Sequence, residues 1–517
     1  MIQNRMTVGV GGFGAYSVPD ELLKGVEDRY AAEGHPKALT IFSGICTGDN
    51  RDSDIGHNRL TAQGLTETVI AAHFKNAGKL NRLIAENHIA GYTIPMGTVI
   101  DLLRAAAGKK PGVLTRVGLN TYLDPRKEGC AVNEKARSQS RQLVRAIQTE
   151  EQDYLFYKTV PMDACLIRGT FADEDGNISL RREGIVDSQL EMAAAVHNNG
   201  GLVIVQVEGI LKRGAIPARE VRIHHSLTDY VVVAALENHC QYYTADRYHP
   251  ELTGELQIPL NKLPPMELSL RKVIARRAAM ELAENSVINL GIGIPSGVGS
   301  VANEEGLAAV TTLSLESGVL GGVPLAGLGF GGAVNPEAVS SIADNFDFYD
   351  GGGLDLAFLG IAEVDENGDV NVSRFGNICA GPGGFINITQ NTPRVCFMGG
   401  FTAEKPELKL GGGRFTILRD GKGVKFVKKV QQVTFSADFA RKNGQEVLYI
   451  TERAVFQLTG NGITLIEIAP GADLQRDILD RMEFQPQIAH KLKTMDGRLF
   501  RPEKMGLRFA AGRSKTK

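Results

Sequence analysis

The segment MDACLIRGTFADEDGNISL, residues 162–180, has a counterpart in LDLAFLGIAEVDENGDVNV, residues 354–372. Asp163 aligns with Asp355 (355 − 163 = 192), and the same offset aligns residues 200–208, GGLVIVQVE, with residues 392–400, TPRVCFMGG. Two matches at one offset indicate an internal duplication. Because both copies carry the acid and one site is expected, we predict a structural role for Asp163 and Asp355, such as capping a turn.

Apolar runs and helical patterns alternate around both copies. In the first half they predict a helix beginning at 19–23 and helices at 64–76, 98–107 and 188–197, with strands at 6–12, 38–43, 90–94, 118–123, 200–207 and 230–235. After a Pro-Pro pair the pattern restarts, with a helix from Arg271 to about residue 285 and a strand at 286–290. Strand-helix-strand order favours parallel sheets.

The fold prediction is therefore α/β, with two tandem, related open domains whose sheets are mostly parallel. The predicted units are residues 1–260, with an insertion between early and late strands, a linker at 261–270, and residues 271–517. Duplicated open sheets commonly bind a ligand between them, so we expect the active site in the cleft between the domains.

Composition narrows the partners. The chain has 517 residues, 43% of them hydrophobic and 22% charged, with a net charge of -2 and no dominant basic run. These values favour small-molecule substrates over nucleic acid or an anionic membrane. Six scattered cysteines form no zinc or disulfide pattern. Without a secretory signal at its beginning or a long apolar run, the protein is expected to be cytoplasmic and not membrane-spanning.

Residues 309–335, AVTTLSLESGVLGGVPLAGLGFGGAVN, predict a buried strand that delivers one carboxylate, Glu316, into a glycine-rich loop. Glycines allow a backbone to approach a ligand closely, so such a carboxylate can be held at a reacting centre. From this segment alone, an acid that simply ends a strand at the surface is the competing interpretation.

Residues 9–14, GVGGFG, match the dinucleotide fingerprint GxGxxG after a predicted strand. Pro19 places the helix start beyond the last glycine, and the second strand ends without the acid that binds a ribose hydroxyl. Nicotinamide binding is therefore disfavoured. A glycine turn that presents backbone N–H groups to an anion or oxyanion is a better functional interpretation, and a purely structural turn remains open.

Several motifs together resemble class I coenzyme A transferases. In the C-terminal half these are NLGIGIP at 289–295, ESG at 316–318 followed by Gly321 and Gly322, FDFYDGGGLD at 346–355 and GGFINI at 383–388. They are similar to the fused, single-chain acetate/propionate branch of the 3-oxoacid CoA-transferase family. The N-terminal half contributes GGFG at 11–14, GL at 118–119, DPR at 124–126, and Asp173 with GN at 176–177.

The resemblance implies residue roles. The nucleophilic glutamate of the family falls on Glu316, and the glycine turn that helps form the oxyanion pocket falls on Gly11 and Gly12. Further glycines are expected to contact coenzyme A: Gly291, Gly293, Gly321, Gly322, Gly383 and Gly384. Three positions depart from relatives, with Met96 in place of glutamine, Ser17 in place of glycine and Pro382 in place of cysteine, which leaves acceptor preference open.

The activity implied by the resemblance is transfer of CoA from acetyl-CoA or propionyl-CoA to a carboxylic acid through a glutamyl-CoA thioester on Glu316. Glutamate ionises below neutral pH, so no activating base is expected. The coenzyme A thioester is a substrate and no cofactor is bound permanently. A homo-oligomer, tetrameric in relatives, is expected. A thioester hydrolase using the same site and a catalytically silent CoA-binding relative remain as alternatives.

Overall fold

The structure, a computed structural model, describes residues 1–243, 248–260, 264–307 and 311–509. Its first half contains a seven-stranded sheet in which every neighbouring pair is parallel. Ala164 and Leu166 pack into one apolar cluster, and Cys165 and Ile167 into another. The sheet is therefore buried on both faces, as parallel sheets usually are. In spatial order its strands are Tyr230–Val233, Leu202–Val207, Ala164–Arg168, Thr7–Val10, Leu39–Ile45, Thr66–His73 and Ala90–Thr93.

Helices cover this sheet. Asp20–Glu33 begins directly after Pro19, and Met96–Ala107 packs against Gln189–Asn198. Shorter helices are Gly78–Ala85 and Glu134–Ser138.

Two first-half predictions are wrong. Residues 64–76 contain the strand Thr66–His73 instead of a helix, because this central strand is buried on both faces and its apolar run lacks the period of two. Residues 118–123 form turns instead of a strand, and the Thr121 hydroxyl donates to the Gly118 carbonyl at 2.7 Å.

The second half is built on a ten-stranded mixed sheet with a parallel centre. Its spatial order is Ala338–Val339, Val319–Leu320, Thr312–Ser314, Val287–Leu290, Leu356–Gly360, Arg394–Met398, Glu446–Ile450, Ala454–Thr459, Gly462–Ile468 and Gln487–Thr494. Its helices are Leu270–Ala279, Gly297–Glu305, Ile342–Asp350, Phe385–Asn391 and Ala437–Lys442.

Other strands form small sheets and hairpins around the two main sheets. They are Gly112–Thr115 with Val144–Gln148 and Asp153–Lys158; Phe171–Asp173 with Ile178–Ser179, Gly209–Leu211 and Val221–Ile223; Glu363–Asp365 with Val370–Asn371 and Phe426–Val427; and the pairs Val323–Pro324 with Ala333–Val334, Arg374–Phe375 with Ile378–Cys379, and Glu407–Gly411 with Arg414–Arg419. In the part of the chain that the structure describes, no helix is both long and apolar enough to cross a bilayer.

The duplication is confirmed strand by strand. At the offset of 192 residues, Ala164–Arg168 corresponds to Leu356–Gly360, and Phe171–Asp173 to Glu363–Asp365. The Asp163 carboxylate accepts the N–H of Thr7 at 2.8 Å, and the Asp355 carboxylate accepts the N–H of Val287 at 2.9 Å. The predicted structural role of this pair is therefore confirmed, although the acids fix the starts of neighbouring strands and do not cap turns.

Hydrogen bonds join the two halves. The Phe74 N–H donates to the Ala380 carbonyl at 2.8 Å, and the Tyr122 N–H donates to the Val433 carbonyl at 2.8 Å. One apolar cluster also runs through both halves without interruption. The boundaries 1–260, 261–270 and 271–517 stay predictions, and residues 261–263 of the predicted linker lie outside the described residues.

Candidate active site

Glu316 lies in the tight turn that follows the strand Thr312–Ser314, and residues 309 and 310 of the predicted strand lie outside the described residues. The Gly318 N–H donates to the Leu315 carbonyl at 3.0 Å and closes the turn. Gly318 has φ 95°, and a side-chain carbon there would lie 2.3 Å from the Ser340 carbonyl oxygen, so the turn requires glycine. The glycine-rich sequence thus serves to present the glutamate.

A buried polar network supports this turn from the helix Ile342–Asp350. The Asn345 side-chain amide donates to the carbonyl oxygens of Leu315 and Glu316, at 3.1 and 3.2 Å. The hydroxyls of Tyr349 and Ser314 are 2.6 Å apart, and the Asn289 amide donates to the Tyr349 hydroxyl at 3.1 Å. Because these residues are almost fully buried, their hydrogen bonds hold the Glu316 backbone in one place.

Gly384 touches the carboxylate itself. Its N–H donates a hydrogen bond to Glu316, and a carbon added at residue 384 would lie 2.2 Å from Glu316 Oε2. The preceding residue is tied to the first half, since the Met96 N–H donates to the Gly383 carbonyl at 2.9 Å and the Gly383 N–H donates to the Ala72 carbonyl at 3.0 Å. The carboxylate therefore lies where the two halves meet.

Burial raises the pKa of Glu316 to about 7, and the hydrogen bond from Gly384 opposes this shift. A carboxyl group with that pKa is about half ionised at pH 7. The structure thus differs from the expectation of a fully ionised glutamate, because the surrounding apolar wall disfavours the charge.

Glu316 opens into a cavity of about 730 Å³ lined by both halves. The first half contributes residues such as Phe13, Gly14 and Lys75, and the second half contributes Asn289 and Gly384. This volume is typical of sites for small organic ligands and cofactors. The candidate site therefore lies between the two halves, where the duplication predicts the active site.

Comparisons with known proteins agree with this geometry. A family model described as coenzyme A transferase matches residues 1–234. A caffeate CoA-transferase from Acetobacterium woodii is 43% identical over 99% of this chain and 98% of its own length, and the acetate CoA-transferase YdiF of Escherichia coli K12 is 37% identical over 96% and 92%. The chain belongs to the class I coenzyme A transferases.

The fold of the transferase matches a solved relative throughout. The crystal structure of the acyl-CoA transferase YdiF apoenzyme from Escherichia coli O157:H7 superposes with a TM-score of 0.92 at 36% identity, and the alignment covers 99% of this chain and 96% of that one. The same relative has been solved as a thioester complex with CoA, at the same TM-score. The two-domain α/β architecture predicted from the sequence is confirmed.

Four of the predicted CoA-contacting glycines line the cavity: Gly291, Gly293, Gly383 and Gly384. Gly321 and Gly322 instead form the turn between Val319–Leu320 and Val323–Pro324, with φ values of 71° and 73°, and are not among the lining residues. Their role in CoA contact stays a prediction that the position of this turn does not favour.

Gly11 and Gly12 do not line the cavity, although Phe13, Gly14 and Ala15 do. The Gly11 N–H donates to the Leu166 carbonyl at 3.0 Å, and the Gly12 N–H donates to the Asp187 carboxylate at 2.7 Å. Both donors therefore already have acceptors within the protein. Their predicted part in an oxyanion pocket is untested, and this arrangement would have to change for them to play it.

The nicotinamide interpretation gains no geometric support. The helix after the GxGxxG match begins at Asp20, and the N–H of Gly12 is occupied by Asp187. The helix that follows the motif in sequence therefore does not begin inside it, as the dinucleotide fingerprint requires.

The three departures from relatives have distinct surroundings. The Met96 side chain is fully buried, its Cε 2.6 Å from where a side-chain carbon on Gly44 would be, and it is not among the cavity-lining residues. Ser17 has φ 53°, a conformation that favours glycine, and its hydroxyl donates to Glu183 at 3.3 Å. Pro382 lines the cavity and is the departure placed to contact substrate.

Asn345 and Tyr349 were not predicted from the sequence. Their signal is faint, because Asn345 immediately precedes the FDFYDGGGLD motif and Tyr349 lies within it. An asparagine and a tyrosine on a helix are usually ordinary polar residues of the surface or the core. Their supporting role depends on the packing of this helix against the Glu316 turn, which the sequence does not show.

Proposed function

We propose that the transferase moves CoA from acetyl-CoA or propionyl-CoA to a carboxylic acid by a ping-pong mechanism through a glutamyl-CoA thioester on Glu316. The observation that carries this proposal is the position of the Glu316 carboxylate, which is held by the Gly384 N–H in a cavity between the two halves. A side-chain carboxylate in such a cavity can act as a nucleophile toward a thioester.

In this mechanism the ionised Glu316 attacks the acyl carbonyl, the carbon–sulfur bond breaks, and an acyl-glutamyl anhydride and CoA thiolate form. The thiolate attacks the glutamyl carbonyl and displaces the acyl group as a carboxylate. The acceptor carboxylate then attacks the glutamyl thioester, and the released thiolate attacks the acceptor carbonyl of the new anhydride. Glu316 is regenerated as a carboxylate, so the cycle consumes no net proton.

Water has to be kept away from the thioester, because hydrolysis would waste it. Four phenylalanines contribute to the cavity wall, Phe13, Phe330, Phe375 and Phe385, and they make much of it apolar. This wall favours transfer to a bound carboxylic acid over hydrolysis, which is the alternative activity for the same site.

Cationic side chains support the CoA assignment. Arg51, Lys75 and Arg271 all line the cavity. The Arg271 guanidinium already donates to the Gly293 carbonyl, at 2.9 Å. We assign Arg51 and Lys75 to the phosphates of CoA, because exposed cations beside a ligand cavity attract such anions.

A second candidate acceptor class is an aromatic carboxylic acid. The phenylalanine-rich wall offers ring faces for such a substrate, and one full-length relative is a caffeate CoA-transferase. A panel of acetate, propionate and hydroxycinnamates, each tested against acetyl-CoA, distinguishes the two classes by their kcat/KM values.

The decisive experiment mixes the protein with acetyl-CoA in the absence of an acceptor and maps its peptides by mass. We expect CoA attached at Glu316 and no attachment in Glu316→Ala. An unmodified Glu316, together with full activity of Glu316→Ala, would overturn the proposal. Rapid thiol release without an acceptor would instead favour the hydrolase, and CoA binding without exchange of labelled acetate would favour a catalytically silent relative.

We also propose that the protein works in the cytoplasm and that it forms a homo-oligomer; the homo-oligomer relies on the family resemblance. Light scattering coupled to size exclusion measures the mass of the assembly directly. A mass equal to one 55.7 kDa chain would contradict this part of the proposal.

A further inference from the structure

The side-chain carbonyl oxygen of Asn289 is a buried acceptor without a partner. In the described residues, nine buried side-chain nitrogen or oxygen atoms have no hydrogen bond, and Asn289 Oδ1 is the one that belongs to a cavity-lining residue. Buried polar groups are normally paired, because an unpaired one costs free energy. Because Asn289 lines a ligand cavity, a bound ligand is the candidate source of the missing donor.

The other end of the same amide is fully committed. Asn289 Nδ2 donates to the Ser314 carbonyl at 3.2 Å and to the Tyr349 hydroxyl at 3.1 Å. Because a backbone carbonyl accepts and cannot donate, the amide must turn its nitrogen toward Ser314, which leaves its oxygen for another partner. Asn289 is 1% exposed, so this orientation is fixed by packing.

Asn289 is close to the nucleophile. It pairs with Ser314 in the parallel register of neighbouring strands, and Glu316 follows Ser314 by two residues. Both Asn289 and Glu316 line the same cavity, and the charge of Glu316 acts on Tyr349, whose hydroxyl accepts from the Asn289 amide. A group bonded to the Glu316 carboxyl is therefore within reach of Asn289.

We propose that Asn289 Oδ1 accepts a hydrogen bond from the amide N–H of the pantetheine arm nearest the CoA sulfur. This inference rests on the proposed function, in which the sulfur is bonded to the Glu316 carboxyl carbon. Two methylenes separate that sulfur from the amide nitrogen, a span of about 4 Å by ordinary bond lengths. Because no other donor lies on this part of the arm, the contact makes Asn289 a specificity residue for the thiol and leaves the acyl group free to vary.

The test changes one atom of the substrate and one side chain of the protein. Acetyl thioesters are made from N-acetylcysteamine, which carries the amide N–H, and from 2-mercaptoethyl acetate, in which an ester oxygen replaces it. For the wild-type protein we expect kcat/KM for transfer of the thiol from its acetyl thioester to a second carboxylic acid to be about 10- to 100-fold higher with the amide. In Asn289→Ala the ratio should fall close to one.

Tyr349→Phe is the matched control. It removes the hydroxyl that the Asn289 amide nitrogen contacts, and so perturbs the same network, but it leaves the acceptor oxygen in place. We expect Tyr349→Phe to keep the wild-type ratio between the two thioesters even if both rates fall. Each ratio is measured on one preparation, so a partly misfolded sample lowers both rates and does not change it.

A wild-type ratio near one, or an Asn289→Ala ratio equal to that of wild type, would overturn the inference. If Asn289→Ala does not fold, Asn289→Ser, whose hydroxyl can still donate to the Ser314 carbonyl, takes its place with the same expected loss. Failure of the proposed function is recognised separately, because acetyl-CoA then leaves no CoA on Glu316 in the wild-type protein.

Discussion

The two halves differ in the residues that they carry on the same pair of neighbouring parallel strands and just beyond their ends. Since Asp163 binds the N–H of Thr7 and Asp355 binds that of Val287, Gly9 occupies in the first half the place of Asn289 in the second. Thr7 pairs with Thr40 and Val287 pairs with Thr312, so Gly44 occupies the place of Glu316. The chemistry-bearing positions of one copy are therefore glycines in the other.

Methionines pack against these glycines. A side-chain carbon on Gly44 would meet the Met96 Cε at 2.6 Å, and one on Gly9 would meet the Met162 Sδ at 2.9 Å. At the equivalent level the second half has a hydrogen-bonded network beside a cavity. Met, flexible and apolar, fills such gaps well. At this level the two copies therefore differ in a few side chains: the second half has polar groups beside a cavity, and in the first half methionines fill the space.

The largest expected effect separates Glu316 from its counterpart. Glu316→Gln keeps the side-chain volume but removes the nucleophilic carboxylate, and we expect CoA transfer from acetyl-CoA to fall at least about 10⁴-fold. The loss is measured as kcat/KM for transfer to a carboxylic acid, with mass mapping to show that residue 316 carries no CoA.

Gly44→Ala is the matching change in the first half. The added carbon has to displace the end of the flexible Met96 side chain, so we expect a loss of about 1–3 kcal/mol in the free energy of unfolding and less than about tenfold in rate. If Gly44→Ala abolished transfer as completely as Glu316→Gln, the distinction between a packing position in the first half and a catalytic position in the second would be wrong.

The next largest effect is expected at Gly384. Its N–H donates to the Glu316 carboxylate, and its lack of a side chain leaves room for that carboxylate. In Gly384→Ala the new carbon would lie 2.2 Å from Glu316 Oε2 and would force the carboxylate to move. We expect transfer to fall about 10²- to 10³-fold, because displacing a nucleophile or an aligned donor has effects of this order.

Gly360→Ala serves as its control. Gly360 also lines the cavity, but a carbon added there meets no atom within 4 Å. Its activity should stay within about threefold of wild type if the cavity tolerates one methyl group. Equal losses in the two variants would mean that crowding of the substrate, and not displacement of Glu316, explains Gly384→Ala.

The pH dependence of transfer tests how burial in the apolar wall affects the pKa of Glu316. Gly44, its counterpart in the first half, has no side chain that could ionise. Burial raises the pKa of Glu316 to about 7, and the ionised form is the nucleophile. The sign follows directly: kcat/KM for acetyl-CoA should be highest above pH 7 and should fall about tenfold per pH unit below it, because kcat/KM reports ionisation in the free enzyme.

This profile is measured between pH 5 and 8.5, with circular dichroism at each pH to show that the fold persists. A rate that stays flat down to pH 5 would mean that the carboxylate keeps an ordinary pKa. The structural account of its burial would then be wrong.

Part of the fold and of the candidate site could be predicted from local sequence. The repeat at one offset predicted both copies of the paired acid, and the glycine-rich turn around Glu316 marked the nucleophile. What the sequence could not supply depends on contacts between distant segments. Asp187 takes the N–H of Gly12 across 175 residues, and Gly384 reaches Glu316 from a separate loop, so neither the occupied glycine turn nor the raised pKa was predictable from local pattern.

The smallest expected effect compares the paired acids, which do the same thing in both halves. Asp163→Ala and Asp355→Ala each remove a charged acceptor for the first N–H of a strand, so each should lower the free energy of unfolding, by about 0.5–2 kcal/mol in urea denaturation. Asp163 is exposed and Asp355 is half-buried, so water replaces the lost contact less well at residue 355 and its variant should be the less stable. Transfer activity should stay within about twofold in both, since surface changes away from a site have small effects. A large loss of activity in Asp355→Ala alone would show that the start of the strand Val287–Leu290 helps to position Glu316. The start of the strand Thr7–Val10 would then have no such effect on the site.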